Sequence, residues 1–188
     1  MLNLAPGNDM IFVVSRTLSH GISGGIFSAI GVFIGCLFHI VFAAIGLSAI
    51  IMKFSVAYDI IRYAGAAYLL YLGINAFFTK NKISEEIVKE EKASNKTLIL
   101  QGIITDILNP KVALFFLAFL PQFVKGDSQY AWIQFLTLGL LFNIGGTLLL
   151  IILVLFIGKT TSFFKNTLVW RYQNKITGLA LMGLGLNI

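Results

Sequence analysis

One apolar stretch, QGIITDILNPKVALFFLAFLPQF from Gln101 to Phe123, is long enough to cross a bilayer yet holds Asp106, Asn109, Pro110 and Lys111. A charge inside a membrane span costs on the order of 3 kcal/mol even on lenient insertion scales, so such residues mark functional sites by default. Proline removes a backbone hydrogen bond and disfavours helix at the preceding residue, here Asn109. The stretch therefore predicts a broken transmembrane helix with charges at the break, the usual construction of a substrate site in a secondary transporter.

The rest of the chain agrees with a membrane setting. Of its 188 residues 57% are apolar and 12% charged, against roughly 25% charged in soluble domains. Mean hydropathy is +0.88. The 18 glycines suit close helix approach, as small residues do in membranes. The formal charge of +6 is spread over loops without an aromatic platform, so it predicts positive-inside topology and not a nucleic-acid partner. A single cysteine, Cys36, excludes a disulfide framework and a Cys-rich metal site. No HExxH, no GxSxG and no nucleophile beside a base is present, so neither an enzyme nor a cofactor is expected. No basic region precedes an apolar core at the start, so no signal peptide is expected.

Six spans are predicted: up to about Val14, Gly25–Met52, Ile60–Phe78, the broken Thr97–Val124, Trp132–Ile157, and from Ile176 to Ile188. The chain opens at a polar break, so the first span is short or the sequence is a fragment. Loops one, three and five hold Arg16, Lys80, Lys82, Lys89, Lys92, Lys96, Lys159, Lys165, Arg171 and Lys175. Loops two and four hold only Lys53, Arg62 and Lys125. That asymmetry puts the odd loops in the cytoplasm and both termini outside. Residues 79–97 read as a solvated cytoplasmic linker, with Glu85 and Lys89 spaced for one turn of surface helix.

The two halves repeat. A shift of 104 residues (110 minus 6) puts Pro6 on Pro110, Gly35 on Gly139, Leu37 on Leu141, Phe38 on Phe142, Ile40 on Ile144, and His39 on Asn143. Three spans per half is an odd number, so the second half is inverted. The expected fold is an all-α membrane protein, a single domain of six transmembrane helices as a 3+3 inverted repeat. Its repeats are 1–78 and 98–188, and helices one and four are broken at Pro6 and Pro110.

The candidate site follows from the breaks. Backbone N–H groups at the helix start after Pro110 lack intrahelical partners and suit a carboxylate, with Lys111 adding full charge. Asp106 can pair with Lys111, hold a substrate ammonium or exchange a proton. At the other break, Pro6, Gly7, Asn8 and Asp9 supply permissive backbone, an amide and an acid; an ordinary helix N-cap is the plain alternative. His39 within an apolar span is either a proton relay or a hydrogen-bonded packing residue. Tyr63, Tyr68 and Tyr71 read as an interfacial belt, Gln122 as structural, and Arg16 and His20 as loop.

With these residues in view the chain resembles the LysE/RhtB family of amino-acid exporters over nearly its whole length. The resemblance is carried by LNPKVALFFLAFLPQF (Leu108–Phe123), APGND (Ala5–Asp9), SRTLSHG (Ser15–Gly21) and YAGAAYLLYLG (Tyr63–Gly73). It implies proton-driven export of an amino acid or derivative from the bacterial cytoplasm through the inner membrane. It also implies a site at Pro6, Gly7, Asp9, Asn109, Pro110 and Lys111. The chain departs from the family at Asn8, where a second proline is common; at Cys36, where many relatives have an acid; and at Asp106, where an amide is common. Proton coupling then falls to Asp9, Asp106 or His39. Metal-cation efflux, a non-transporting scaffold and an inactive truncated copy are the alternatives, and the glycines leave a homodimer open.

Overall fold

The computed structural model describes residues 7–47, 49, 55–78, 93–124 and 130–159, with 175, 179, 181–183 and 186 near the end. Among these the chain is helical, with no strand. Pro6, most of the linker and most of the expected sixth span lie outside the described residues.

Helix α1 is recorded as Asn8–Phe42, but Gly21 within it has φ 72° and ψ −171°. That conformation is costly for any residue with a Cβ and stops an α-helix. It divides α1 into arms at 8–20 and 22–42. In a straight helix Asp9 and Cys36 would stand roughly 40 Å apart. Instead they line one small cavity, and Val13 and Ala29 share one buried cluster. The arms therefore fold back on each other as a hairpin whose whole connection is Gly21. The segment around Arg16 and His20, expected as a loop, is helical through His20. His20 Nε2 accepts the Ala93 N–H at 3.0 Å and so ties the hairpin's tip to the start of the segment 93–124. The second arm runs on through a π-helical turn, Ala43–Leu47.

Helix α2 is Ser55–Phe78, α3 is Asn95–Ile107, α4 is Pro110–Leu114, and α5 is Ala131–Lys159. Ser94 caps α3 through its Oγ, which accepts the Thr97 N–H. Helix α3 ends two residues short of Pro110, and Asn109 takes the extended backbone (φ −78°, ψ 107°) that a following proline favours. Helix α4 continues as a π-helical turn, Phe115–Phe119, and a 3-10 turn, Leu120–Phe123. The helical segments on the two sides of the break bend by 47°. Counted through the Gly21 kink, Asn8–Leu47 is long and apolar enough to cross a membrane, as is Ala131–Lys159, and the bent pair makes a third if counted as one span. Helix α2 has the length but is interrupted by Asp59, Arg62 and Asn75, and is not among them.

Glycines set the packing. A Cβ on Gly102 of α3 would lie 2.6 Å from Ser28 O and 2.9 Å from the Gly31 Cα of the second arm, so the two backbones touch there. Gly35 gives Asp106 its space, and Gly25 and Gly158 bring α1 against α5. The main core joins Cys36 and Ile40 of α1, Val112, Phe115 and Phe116 of the α4 segment, and Phe135 of α5. Phe115 stacks on Phe142 with centroids 4.1 Å apart. The outer face of α5 presents Leu141, Ile144, Leu148, Ile152 and Leu155, where a water-facing helix would carry charge. A helix apolar on both faces belongs in lipid. Tyr63, Tyr68 and Tyr71 are likewise exposed along α2.

Gly102→Val should lower stability by about 1–3 kcal/mol, because the new side chain meets backbone that cannot rotate away. Gly21→Ala meets no atom within 4 Å, so its loss of about 1–3 kcal/mol is conformational alone. Thermal unfolding in detergent measures both. A second substitution relieving crowding, Ser28→Gly, should rescue neither, since backbone causes both losses.

Candidate functional site

Asn109 organises the site. It is 1% exposed and sits at the junction of α3 and α4. Its side-chain Nδ2 donates to Asp9 Oδ2 at 2.6 Å, bridging 100 residues of chain. Its Oδ1 accepts the Lys111 N–H at 3.1 Å. Its own N–H donates to Asp106 O at 2.9 Å, and its carbonyl accepts the Ala113 N–H. Asparagine alone among the common residues offers a short planar donor and acceptor together.

These bonds change what the helix start can offer. Pro110 has no N–H, and the Lys111 and Ala113 N–H groups already go to Asn109. The first turn therefore has little backbone left for an anion, and the positive charge at this helix start is the Lys111 ammonium. The Lys111 stem lies along Gly7: a Cβ there would be 2.5 Å from Nζ and 3.0 Å from Cε. Gly7 is thus the residue that admits the lysine, besides serving as the N-cap position of α1, where no side chain caps.

Asp9 lies in the first turn of that helix, two residues after Gly7. Its Oδ2 is held by Asn109, while its buried Oδ1 has no hydrogen-bond partner. Asp106, 2% exposed, is in the last turn of α3, and its Oδ2 is also buried without a hydrogen-bond partner. Leaving such an oxygen unsatisfied costs about 1–3 kcal/mol. His39 approaches it from the second arm. The ring stacks on Phe116, centroids 5.9 Å apart. Its Nε2 is 3.0 Å from Asp106 O and 3.8 Å from Asp106 Oδ2. A carbonyl oxygen can only accept, so Nε2 carries hydrogen and donates to it.

A cavity of about 50 Å³ lies between these groups, lined by Asp9, Cys36, Asp106, Lys111, Asn143 and Thr147 together with apolar side chains. That is room for a few waters. Of the residues expected from the sequence, Gly7, Asp9, Asp106, Asn109, Pro110, Lys111 and His39 come together here; Pro6 is outside the described residues. Gln122 donates to Ala118 O within its own segment.

Thr147 was not expected to face the site, and Asn143, the repeat-mate of His39, was open to the same two readings, relay or hydrogen-bonded packing residue. Asn143 is 4% exposed and its Nδ2 donates to Phe33 O at 3.1 Å, which clamps α5 to the second arm. The signal was present: from Leu138 to Gly158 these are the two polar side chains in an otherwise apolar helix, four residues apart and so on one face.

Comparison with known proteins adds the family. The LysE type translocator family matches residues 1–188, the full chain. The chain belongs to that family. It is similar to YrhP of Bacillus subtilis (strain 168), described as an uncharacterized membrane protein. The two are 32% identical over 194 residues, which cover 99% of this chain and 92% of that protein. It is also similar to an uncharacterized membrane protein of Vibrio cholerae serotype O1, 29% identical over 192 residues, covering 99% and 90%. No solved structure matches. LysE type translocators are membrane transporters, not enzymes.

Asn109→Ala removes a helix cap, a junction between α1 and α4, and the donor to Asp9. Ser94→Ala removes only an exposed cap, for about 1 kcal/mol. The Asn109 variant should lose about 1–3 kcal/mol more, the range for leaving a buried polar partner unsatisfied. Paired thermal melts of the two variants measure the difference, and equal losses would remove Asn109 from its central place.

Proposed function

We propose that this translocator is a secondary-active exporter of an amino acid or amino-acid derivative across the bacterial inner membrane, driven by the proton gradient. The observation that carries the reading is the pairing of opposite charges around one cavity, Lys111 against Asp9 and Asp106, in helices that are otherwise apolar. A zwitterion needs that complement. Lys111 takes the carboxylate and Asp9, oriented by Asn109, takes the ammonium with its unpartnered Oδ1.

The same reading places six spans in two inverted halves, with the odd loops in the cytoplasm and both termini outside. Contact between Gly7 and Lys111 supports it, because the shift of 104 that superposes Pro6 and Pro110 makes these two repeat-mates. Halves that rock about such a contact would expose the cavity alternately to each side. Lipid is the surrounding partner, and a homodimer is compatible with the glycine-rich helices. Metal-cation efflux is the weaker reading: a lysine in the cavity repels the cation that the two acids would hold.

The test is efflux from bacteria lacking their own exporters, loaded with dipeptides and followed with and without an uncoupler. Uncoupler-sensitive efflux of an amino acid is expected. Lys111→Ala and Asp9→Asn should each lower it about tenfold or more at equal abundance, since each removes one charge-assisted contact. Full efflux by both variants would overturn the site.

A further inference from the structure

The proposed function leaves two acids, Asp9 and Asp106, and one substrate ammonium. The geometry around them is unequal. Asp9 Oδ2 is held by Asn109, and Asp9 lies at the helix start that receives the Lys111 stem. Asp106 Oδ2 is buried, has no hydrogen-bond partner, and faces His39. We propose that His39 and Asp106 form the proton-carrying pair of the transporter, and that Asn109 passes the state of that pair to Asp9 in the substrate site. This rests on the exporter reading above.

His39 Nε2–H has two oxygens of one residue within reach, the main-chain oxygen of Asp106 at 3.0 Å and Oδ2 at 3.8 Å. It donates to the first. Two arrangements satisfy the pair. In one, a proton from water bonds to Oδ2, the carboxylate becomes a neutral acid, and His39 stays on the main-chain oxygen. In the other, that O–H bond breaks, the proton leaves to water on the opposite side, and the His39 N–H turns onto the freed carboxylate oxygen. One proton is carried and nothing is oxidised or reduced.

The main-chain oxygen is the link to the substrate. Asp106 O accepts from His39 Nε2 and also from the Asn109 N–H at 2.9 Å. Asn109 in turn holds Asp9 through Nδ2 and Lys111 through Oδ1. When His39 leaves that oxygen, the junction that orients both substrate-binding groups loses one of its two anchoring donors. The path is three hydrogen bonds long and crosses the bend between α3 and α4. Electrostatics runs alongside it. The groups that face Asp106 are Asp9 from the first arm, Cys36 and His39 from the second, and Lys111 from α4; α5 contributes no titratable side chain to this cavity. A bound zwitterion covers Asp9 and Lys111 at once, and so alters both charges that Asp106 faces.

The test counts protons moved per amino acid moved. Full-length protein is reconstituted in vesicles holding pyranine, and a mixture of the twenty labelled amino acids is placed inside. Wild type should give proton flux of the same order as label flux. In Asp106→Asn the ratio should fall at least tenfold while label still exchanges, at whatever rate. In His39→Leu, which removes the N–H that turns between the two Asp106 oxygens, the ratio should also fall. An unchanged ratio in either variant overturns the proposal. So does complete loss of label movement in a folded Asp106→Asn protein, which would place Asp106 in the substrate site. Should either variant fail to fold, the other decides alone. If wild type moves no label, the exporter reading itself fails; if it moves label without protons, that reading stands as a uniporter or exchanger and only the proton pair falls.

Discussion

The hydrogen bonds of Asn109 are what the rest of the site depends on. A helix that stops before a proline leaves polar backbone groups inside an apolar medium, where each unsatisfied group costs several kcal/mol. Asn109 uses its N–H, carbonyl, amide nitrogen and amide oxygen to settle that debt locally. In doing so it joins α1 to α4 and fixes both the acid and the lysine of the cavity. The break and the candidate site are therefore one construction. The polar groups that make a broken helix tolerable are the groups that hold the charged side chains.

Close packing makes that construction possible. Gly31 and Gly102 bring the second arm of α1 into backbone contact with α3, and Gly35 one turn further on leaves the volume that Asp106 occupies. Gly7 does the same for the Lys111 stem. In a membrane, where burial from water no longer drives helices together, such contacts and hydrogen bonds do that work. The long polar side chains at the centre occupy space that glycines on neighbouring helices vacate.

Much of this was legible in the amino-acid sequence. Asp106, Asn109, Pro110 and Lys111 stand out because charge and proline are costly in an apolar run and persist there where a site needs them. The helix at Ala131–Lys159 matches the span expected from Trp132 to Ile157 within two residues at each end. The hairpin at Gly21 was harder to read. Arg16, Ser19 and His20 have loop composition, yet the helix continues through them, because the turn needs one glycine and no more. The approach of His39 to Asp106 joins residues 67 apart, and no local pattern encodes which turn of one helix meets which turn of another. Asn143 and Thr147 carried a readable signal, two polar residues on one face, but its direction toward the cavity is a tertiary fact. The local helix start at Pro110 could be foreseen, while the occupation of its N–H groups by Asn109 could not.

Gly21 has a mechanical consequence. Where a membrane hairpin is joined by a long loop, its helices can tilt independently and the loop absorbs the difference. Here one residue joins the arms, and His20 next to it is fastened to Ala93. The arms form a stiff fork, pivoted at its closed end. Asp9 is near the open end of one prong and His39 near the open end of the other, so a given tilt displaces both by the longest lever available. The other joint among the described residues is the break between α3 and α4, where Asn109 ties Asp9 of the fork to Lys111, so a tilt of the fork pulls on that bond.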